Sequence, residues 1–300
     1  MEVAGYRIVA LLGEGETGRV HLARSAWGRP VAVKTVDGPL AADPAFRERF
    51  RREALAARTV TGPCAAAVVG ADPDGEPPWL AVEFCAGPSL PKAVATYGPL
   101  GSAELAALGA TLAGALASVH AAGLTHRDVK PSNVVITRHG PRLIGFGIAK
   151  STVAGGLAAD GSPAADGGMV GSPGFLAPEQ LARGARPGPA SDVFALGAVL
   201  VVAATGQGPF GSGRAPEVLH RTLHEDPDLL GVPDPEWRHF LGRCLARDPA
   251  ARPPVAEVLG RCAGQAAVPP WWAQEPVAGL IRRQEGKLAE MLGQAGTGGS

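Results

Sequence analysis

Near residue 85 the apolar pattern of this 300-residue chain changes period, and that change limits the folds open to it. Before it, Tyr6-Arg7-Ile8-Val9, Arg19-Val20-His21-Leu22-Ala23, Pro30-Val31-Ala32-Val33-Lys34, Ala66–Val69 and Trp79–Phe84 read as short strands separated by turns. One helical stretch, Pro44 to Arg58, falls among them, with Phe46, Phe50 and Leu55 apolar and Arg and Glu on its other faces. After it helices dominate, over about 102–120, 192–205, 215–223, 235–245 and 255–265. A strand pair, Val134–Thr137 and Pro141–Ile144, and a Gly-rich loop from Ser151 to Gly171 lie between the first two. Strands gathered first and helices second predict an α+β chain, a small β-rich lobe over 1–86 followed by a larger helical lobe over 87–267.

Residues 268–300 differ from both lobes. Pro269-Pro270-Trp271-Trp272 precedes an amphipathic helix of about Pro276–Leu292, with Val277, Leu280, Ile281, Leu288 and Leu292 on one face. The final Gly-Thr-Gly-Gly-Ser has the composition of a flexible linker. This helix is expected to pack on the large lobe; a tether to something beyond the chain is the other reading.

Composition removes several classes of function. With 46% hydrophobic and 19% charged residues the chain is not a disordered tail protein. Lys+Arg and Asp+Glu are both 28, so no global field favours nucleic acid or an anionic membrane, and neither is expected as a partner. Cys64, Cys85, Cys244 and Cys262 form no C-x-x-C pair and read as small buried thiols of a reducing compartment. The longest charge-free apolar run, Val193 to Gly206, is too short to span a bilayer, and the N-terminus lacks the pattern of a signal peptide. A cytoplasmic location follows, either of the whole protein or of the cytoplasmic part of a longer membrane-anchored one.

Three motifs carry chemistry. Gly13-Glu14-Gly15-Glu16-Thr17-Gly18-Arg19-Val20 lies between two strand-like runs, which makes it a hairpin whose backbone can lie against phosphates. In Val31-Ala32-Val33-Lys34 the Lys points inward from a strand and needs a partner, for which Glu53 on the following helix is the natural candidate. Together they could hold the α- and β-phosphates of a nucleotide. The third motif is His126-Arg127-Asp128-Val129-Lys130-Pro131-Ser132-Asn133. There Asp128 can accept the proton of an attacking hydroxyl, Lys130 can neutralise a transferring phosphoryl and Asn133 can bind a metal. Only five of the 28 basic residues are Lys, yet two of the five, Lys34 and Lys130, fall in these motifs. A compact ammonium is what a phosphate pair requires there, and Arg does not replace it.

In this order the motifs resemble those of bacterial eukaryotic-like (Hanks-type) serine/threonine protein kinases, over about residues 6–265. The resemblance implies a bilobal kinase fold with ATP between the lobes. Leu12, Gly13, Gly15, Gly18, Val20, Ala32, Lys34 and Val135 would enclose the nucleotide, with Glu83 and Cys85 in the hinge and Val82 as gatekeeper. Catalysis would rest on Asp128, Lys130, Lys34 and Glu53, with Mg2+ or Mn2+ at Asn133. His126, Arg127, Phe146, Glu179 of Ala-Pro-Glu, Asp192 and Arg252 would be structural, Asp192 anchoring the catalytic loop and Arg252 pairing with Glu179. Thr152, Ser162 and Ser172 mark the activation segment, with Ser151 a further candidate hydroxyl and Arg127 the receiver of a phosphate placed there. Protein Ser and Thr hydroxyls would be the substrates, and a homodimer could serve trans-autophosphorylation.

The chain departs from the pattern at one position. Where the family has Asp-Phe-Gly it reads Gly145-Phe146-Gly147, so Gly145 stands in place of the metal-binding carboxylate. Metal binding is therefore expected to be weakened. Three accounts stand: a pseudokinase that binds nucleotide or partners, a weak kinase whose metal finds another ligand, or a substituted residue in an otherwise active enzyme.

Overall fold

A computed structural model describes residues 2–15, 18–60, 62–145, 172–181, 187–264 and 270–297. Its first lobe is one antiparallel six-stranded sheet of order β1-β2-β3-β4-β6-β5. The strands are β1 (Glu2–Val3), β2 (Tyr6–Gly15), β3 (Gly18–Arg24), β4 (Pro30–Thr35), β5 (Val68–Asp72) and β6 (Trp79–Glu83). Two helices intervene, α1 (Pro39–Ala42) and α2 (Pro44–Ala57). The start of α2 is fixed by local chemistry: Asp43 caps it by accepting from the Ala45 amide at 2.9 Å, and Pro44 occupies the first turn. Phe46, Phe50, Ala54 and Ala57 form its buried stripe, whereas Leu55, expected to be apolar-facing, is exposed.

The second lobe is helical, as the change of period predicted. It comprises α3 (Leu90–Tyr97), α4 (Ser102–Ala121), α5 (Pro178–Leu181), α6 (Pro189–Thr205), α7 (Ala215–His224), α8 (Pro235–Cys244) and α9 (Val255–Ala263), with the hairpin β7 (Val134–Thr137) and β8 (Gly140–Leu143). At its centre α4 packs against α6, α9 and β8, burying Leu105, Leu108, Leu112, Leu116 and Val119. By length and composition α4 could cross a membrane, but more than half of its apolar window is buried inside this lobe, as befits a core helix. Cys244 and Cys262 are fully buried in the same core, and burial pushes their thiols up to about 12 and about 11. They are inert packing groups.

The chain after residue 269 docks on this body through Trp271 and α10 (Val277–Thr297). Trp271, Val277 and Ile281 are buried, and Trp271 meets Tyr97 of α3 with ring centroids 5.6 Å apart. Glu285 accepts from Arg138 Nε, in the β7–β8 turn, at 2.7 Å. Besides the large lobe expected of it, α10 also touches β2 of the sheet.

Candidate active site

A cleft of about 350 Å³ opens between the sheet and the helical lobe. Leu12 and Gly13 of β2, Val20 of β3, Ala32 and Lys34 of β4, and Val82, Glu83 and Cys85 of β6 and its exit line it as expected. Strand pairing explains the convergence, because Lys34 lies between Val20 and Leu80, and Ala32 between Leu22 and Val82. Gly15 and Gly18 face each other across the tip of the β2–β3 hairpin instead of lining the cleft. Only glycine fits at 18: φ is +128° and a Cβ there would lie 1.9 Å from the Thr35 carbonyl oxygen. Val135 is buried in β7, and Ile144 lines the cleft beside it in the hairpin's exit. Leu80 and Phe84 also line it; Phe84 lies within the expected hinge Glu83-Phe84-Cys85, and Leu80 had only its apolar character as a signal. Burial pushes the Cys85 thiol up to about 11, so it presents an unreactive apolar wall.

The catalytic-loop residues meet at the opposite end of the cleft. Asp192 of α6, 1% exposed, accepts from the backbone amides of His126 at 2.8 Å and Arg127 at 2.9 Å. It also faces His120 Nε2 at 2.8 Å, a partner that no local sequence pattern announced. These bonds hold Arg127 at φ +62°; among the described residues the only other non-glycine with positive φ is Ala4. Such a conformation costs on the order of 1–3 kcal/mol and persists only where its surroundings impose it. Here it aims the next residue, Asp128, into the cleft. Asn133 Nδ2 donates to the Asp128 carbonyl at 2.8 Å and to Asp128 Oδ2 at 2.7 Å, while Lys130 Nζ lies 3.3 Å from Asp128 Oδ1. The buried His126 ring accepts from the Asp128 amide, its Nδ1 3.4 Å away.

Glu53 has a described partner that the sequence reading did not give it. Arg127 Nη1 donates to Glu53 Oε1 at 2.7 Å, tying α2 to the catalytic loop across 74 residues of sequence. Lys34, the partner expected for Glu53, lines the cleft, and Glu53 also accepts this bond from the catalytic loop. Gly145 sits at φ +76°, and a Cβ there would lie 3.3 Å from Asn133 Nδ2. It shares the cleft end with Asp128 and Asn133 and adds no carboxylate.

Beside the catalytic loop, Ser172 and Phe175 border the same small crevice as Asp128 and Lys130. Behind them Glu179 and Arg252 form a two-pronged pair, 2.7 and 2.8 Å, with Ser191 Oγ donating to Glu179 at 2.7 Å. Burial on its own pushes the Glu179 carboxyl up, but the bonds from Arg252 and Ser191 outweigh it and hold the group below its ordinary value. Arg252 is itself buried, stacks 5.0 Å from the Phe194 ring centroid and donates to the carbonyls of Ala190, Ala246 and Arg247. Phe146, Ser151, Thr152 and Ser162 lie outside the described residues.

A family profile described as Protein kinase domain matches residues 6–261. The probable serine/threonine-protein kinase PkwA of Thermomonospora curvata is 43% identical over 259 residues, covering 86% of this chain and 34% of that protein. The serine/threonine-protein kinase AfsK of Streptomyces coelicolor is 40% identical over 296 residues, covering 96% of this chain and 36% of its own length. The chain thus spans about a third of the length of these curated relatives. Among solved structures, the kinase domain of Mycobacterium tuberculosis PknI superposes with a TM-score of 0.66 at 28% identity, covering 89% of this chain and 98% of that one.

Proposed function

The chain belongs to the protein kinase domain family, and from that premise we propose that it transfers the γ-phosphate of ATP to Ser or Thr hydroxyls of proteins, at a rate held down by Gly145. The observation that carries this reading is the placement of Asp128. It projects from the strained Arg127 turn at one end of a cleft whose other end is apolar, with Lys130 and Asn133 in contact with its carboxylate. Leu12, Val20, Ala32 and Val82 offer flat apolar walls to an adenine ring, and Lys34 lies on the phosphate side. Asp128 receives the proton of the acceptor hydroxyl, Lys130 offsets charge on the transferring group, and the Ser172–Phe175 crevice receives the peptide.

The donors for a divalent cation are incomplete. Asn133 commits its amide nitrogen to Asp128, the Asp128 carboxylate is shared between Asn133 and Lys130, and position 145 brings no oxygen. Among the described residues no three His, Cys, Asp or Glu side chains gather at one point. This donor set does not fit a rigidly held Mg2+ or Mn2+. The same observation favours a second reading, a pseudokinase in which nucleotide or partner binding outlives transfer.

Residues 1–86 and 87–267 act as the two lobes and 268–300 as a docked tail, on the cytoplasmic side. Protein substrates and a homodimer for trans-autophosphorylation complete the assignment. Radiolabelled γ-phosphate transfer, to the chain itself and to a generic basic protein, tests it against Asp128→Asn. Labelling above that variant supports the kinase reading. Equal labelling, with nucleotide still bound, establishes the second.

A further inference from the structure

Arg142 lies on β8, two residues before Ile144 of the cleft floor, and its guanidinium reaches two other segments. One nitrogen, Nη2, donates to Glu83 Oε2 at 2.6 Å and to the Ala65 carbonyl at 2.9 Å. Glu83 ends β6 and forms the hinge edge of the cleft; Ala65 lies in the connection between α2 and β5. The backbone joins the same parts: Ala66 N donates to the Leu143 carbonyl at 3.0 Å, Leu143 N to Cys64 at 2.8 Å, and Glu83 N to Ala67 at 2.8 Å. The Arg142 side chain is 16% exposed, so its charge is only partly hydrated and both contacts count. The guanidinium therefore fastens the strand that becomes the cleft floor to the strand end that becomes its hinge edge.

We propose that Arg142 is a positioning residue for the adenine end of the nucleotide, fixing hinge and floor at the spacing that a flat ring requires. This rests on the nucleotide-binding reading above. Arg142 is absent from the cleft lining and does not act as a phosphate ligand. Two consequences separate positioning from long-range charge attraction. A displaced hinge weakens adenosine and ATP by the same factor, because both present the same ring. Loss of an attracting positive charge weakens ATP and spares adenosine.

The experiment measures dissociation constants of ATP and adenosine, by displacement of a fluorescent ATP analogue, for the parent chain, Arg142→Met, Glu83→Gln and the double variant. Melting temperatures are recorded beside them, and binding is read well below the lowest. The expected result is a three- to tenfold weakening of both ligands in Arg142→Met, a smaller loss in Glu83→Gln, and a double variant weaker than the parent by less than the product of the two. Unchanged affinity in Arg142→Met, or a loss confined to ATP, overturns the proposal. If Arg142→Met melts too low to test, Arg142→Gln serves: it is polar but too short to reach Glu83 and Ala65 together, and unaltered adenosine affinity there also overturns it. Failure of the parent chain to bind ATP would instead count against the nucleotide-binding reading.

Discussion

Gly145→Asp separates what the chain has kept from what it has lost. Position 145 has φ +76°, a conformation that Asp tolerates better than most residues but at about 1 kcal/mol relative to glycine. The new Cβ would lie 3.3 Å from Asn133 Nδ2, with Cγ and Oδ1 of the same amide at 3.5 and 3.6 Å. That amide cannot swing away freely, because two bonds to Asp128 hold it. Yielding by a few tenths of an ångström brings the total to about 1–2 kcal/mol of lost stability, or a melting point lower by roughly 2–6 °C in a chain of this size. Against this, a charge-stabilising group at the reacting phosphates is worth about 10²–10³ in rate, ~3–4 kcal/mol. Transfer of labelled γ-phosphate in Mg2+ should therefore rise about a hundredfold or more while the protein melts slightly earlier. Gly145→Ala is the control, carrying the same backbone strain and no carboxylate, and should melt earlier without any gain. If Gly145→Asp folds, binds nucleotide and transfers no faster than the parent, one missing carboxylate is not what limits this chain.

Two further perturbations test the frame around the site. Glu179→Gln should cost about 3–5 kcal/mol near neutral pH, because it leaves the buried Arg252 without its counter-charge. The Glu179 carboxyl sits below its ordinary value of 4.5, so its contribution is present above that value and is lost as pH falls through the depressed folded one. Urea denaturation of parent and variant should converge in acid and diverge near neutrality; a constant gap would refute the assignment. Trp271→Ala should cost about 3–5 kcal/mol by emptying a fully buried site, and should expose α10 to limited proteolysis before the lobes are cut. Intact protection of α10 in that variant would show that the tail is held elsewhere.

Much of this architecture was legible because its signals are local. The strand alternation of 30–34 and the capped stripe of 44–57 each carry their own periodicity, and β4 and α2 follow them closely. β2 outran the expectation by six residues, from Ala10 through Gly15, where Ala10-Leu11-Leu12 breaks the alternation and the ladder itself shifts register. The eight residues of α3 were missed altogether, since Leu90, Ala93 and Val94 are too few to establish a helical period. In the site, Asp128, Lys130 and Asn133 were legible as a unit because the octet that contains them is contiguous. Glu179 with Arg252 was expected from the resemblance, and both are where it places them. What escaped was pairing between distant residues: Arg127 with Glu53, His120 with Asp192, Arg142 with Glu83. Each depends on how elements approach in space, and many Glu and Arg residues in the sequence offer equally plausible alternatives.

The bonds from Asp192 to the His126 and Arg127 amides place the catalytic turn in an unusual position among loops. Its two defining hydrogen bonds end on a helix whose residues 191–201 are almost all sealed in the core of the helical lobe. Release of those amides therefore leaves the buried Asp192 carboxylate short of two donors, so the cost of moving the loop is set by the core of the lobe. The hairpin above, with exposed Leu11 and Leu12 and no fully buried residue in β2, has no such anchor. A shift of the hairpin thus reshapes one wall of the cleft, while the geometry that aims Asp128 stays tied to the core of the helical lobe.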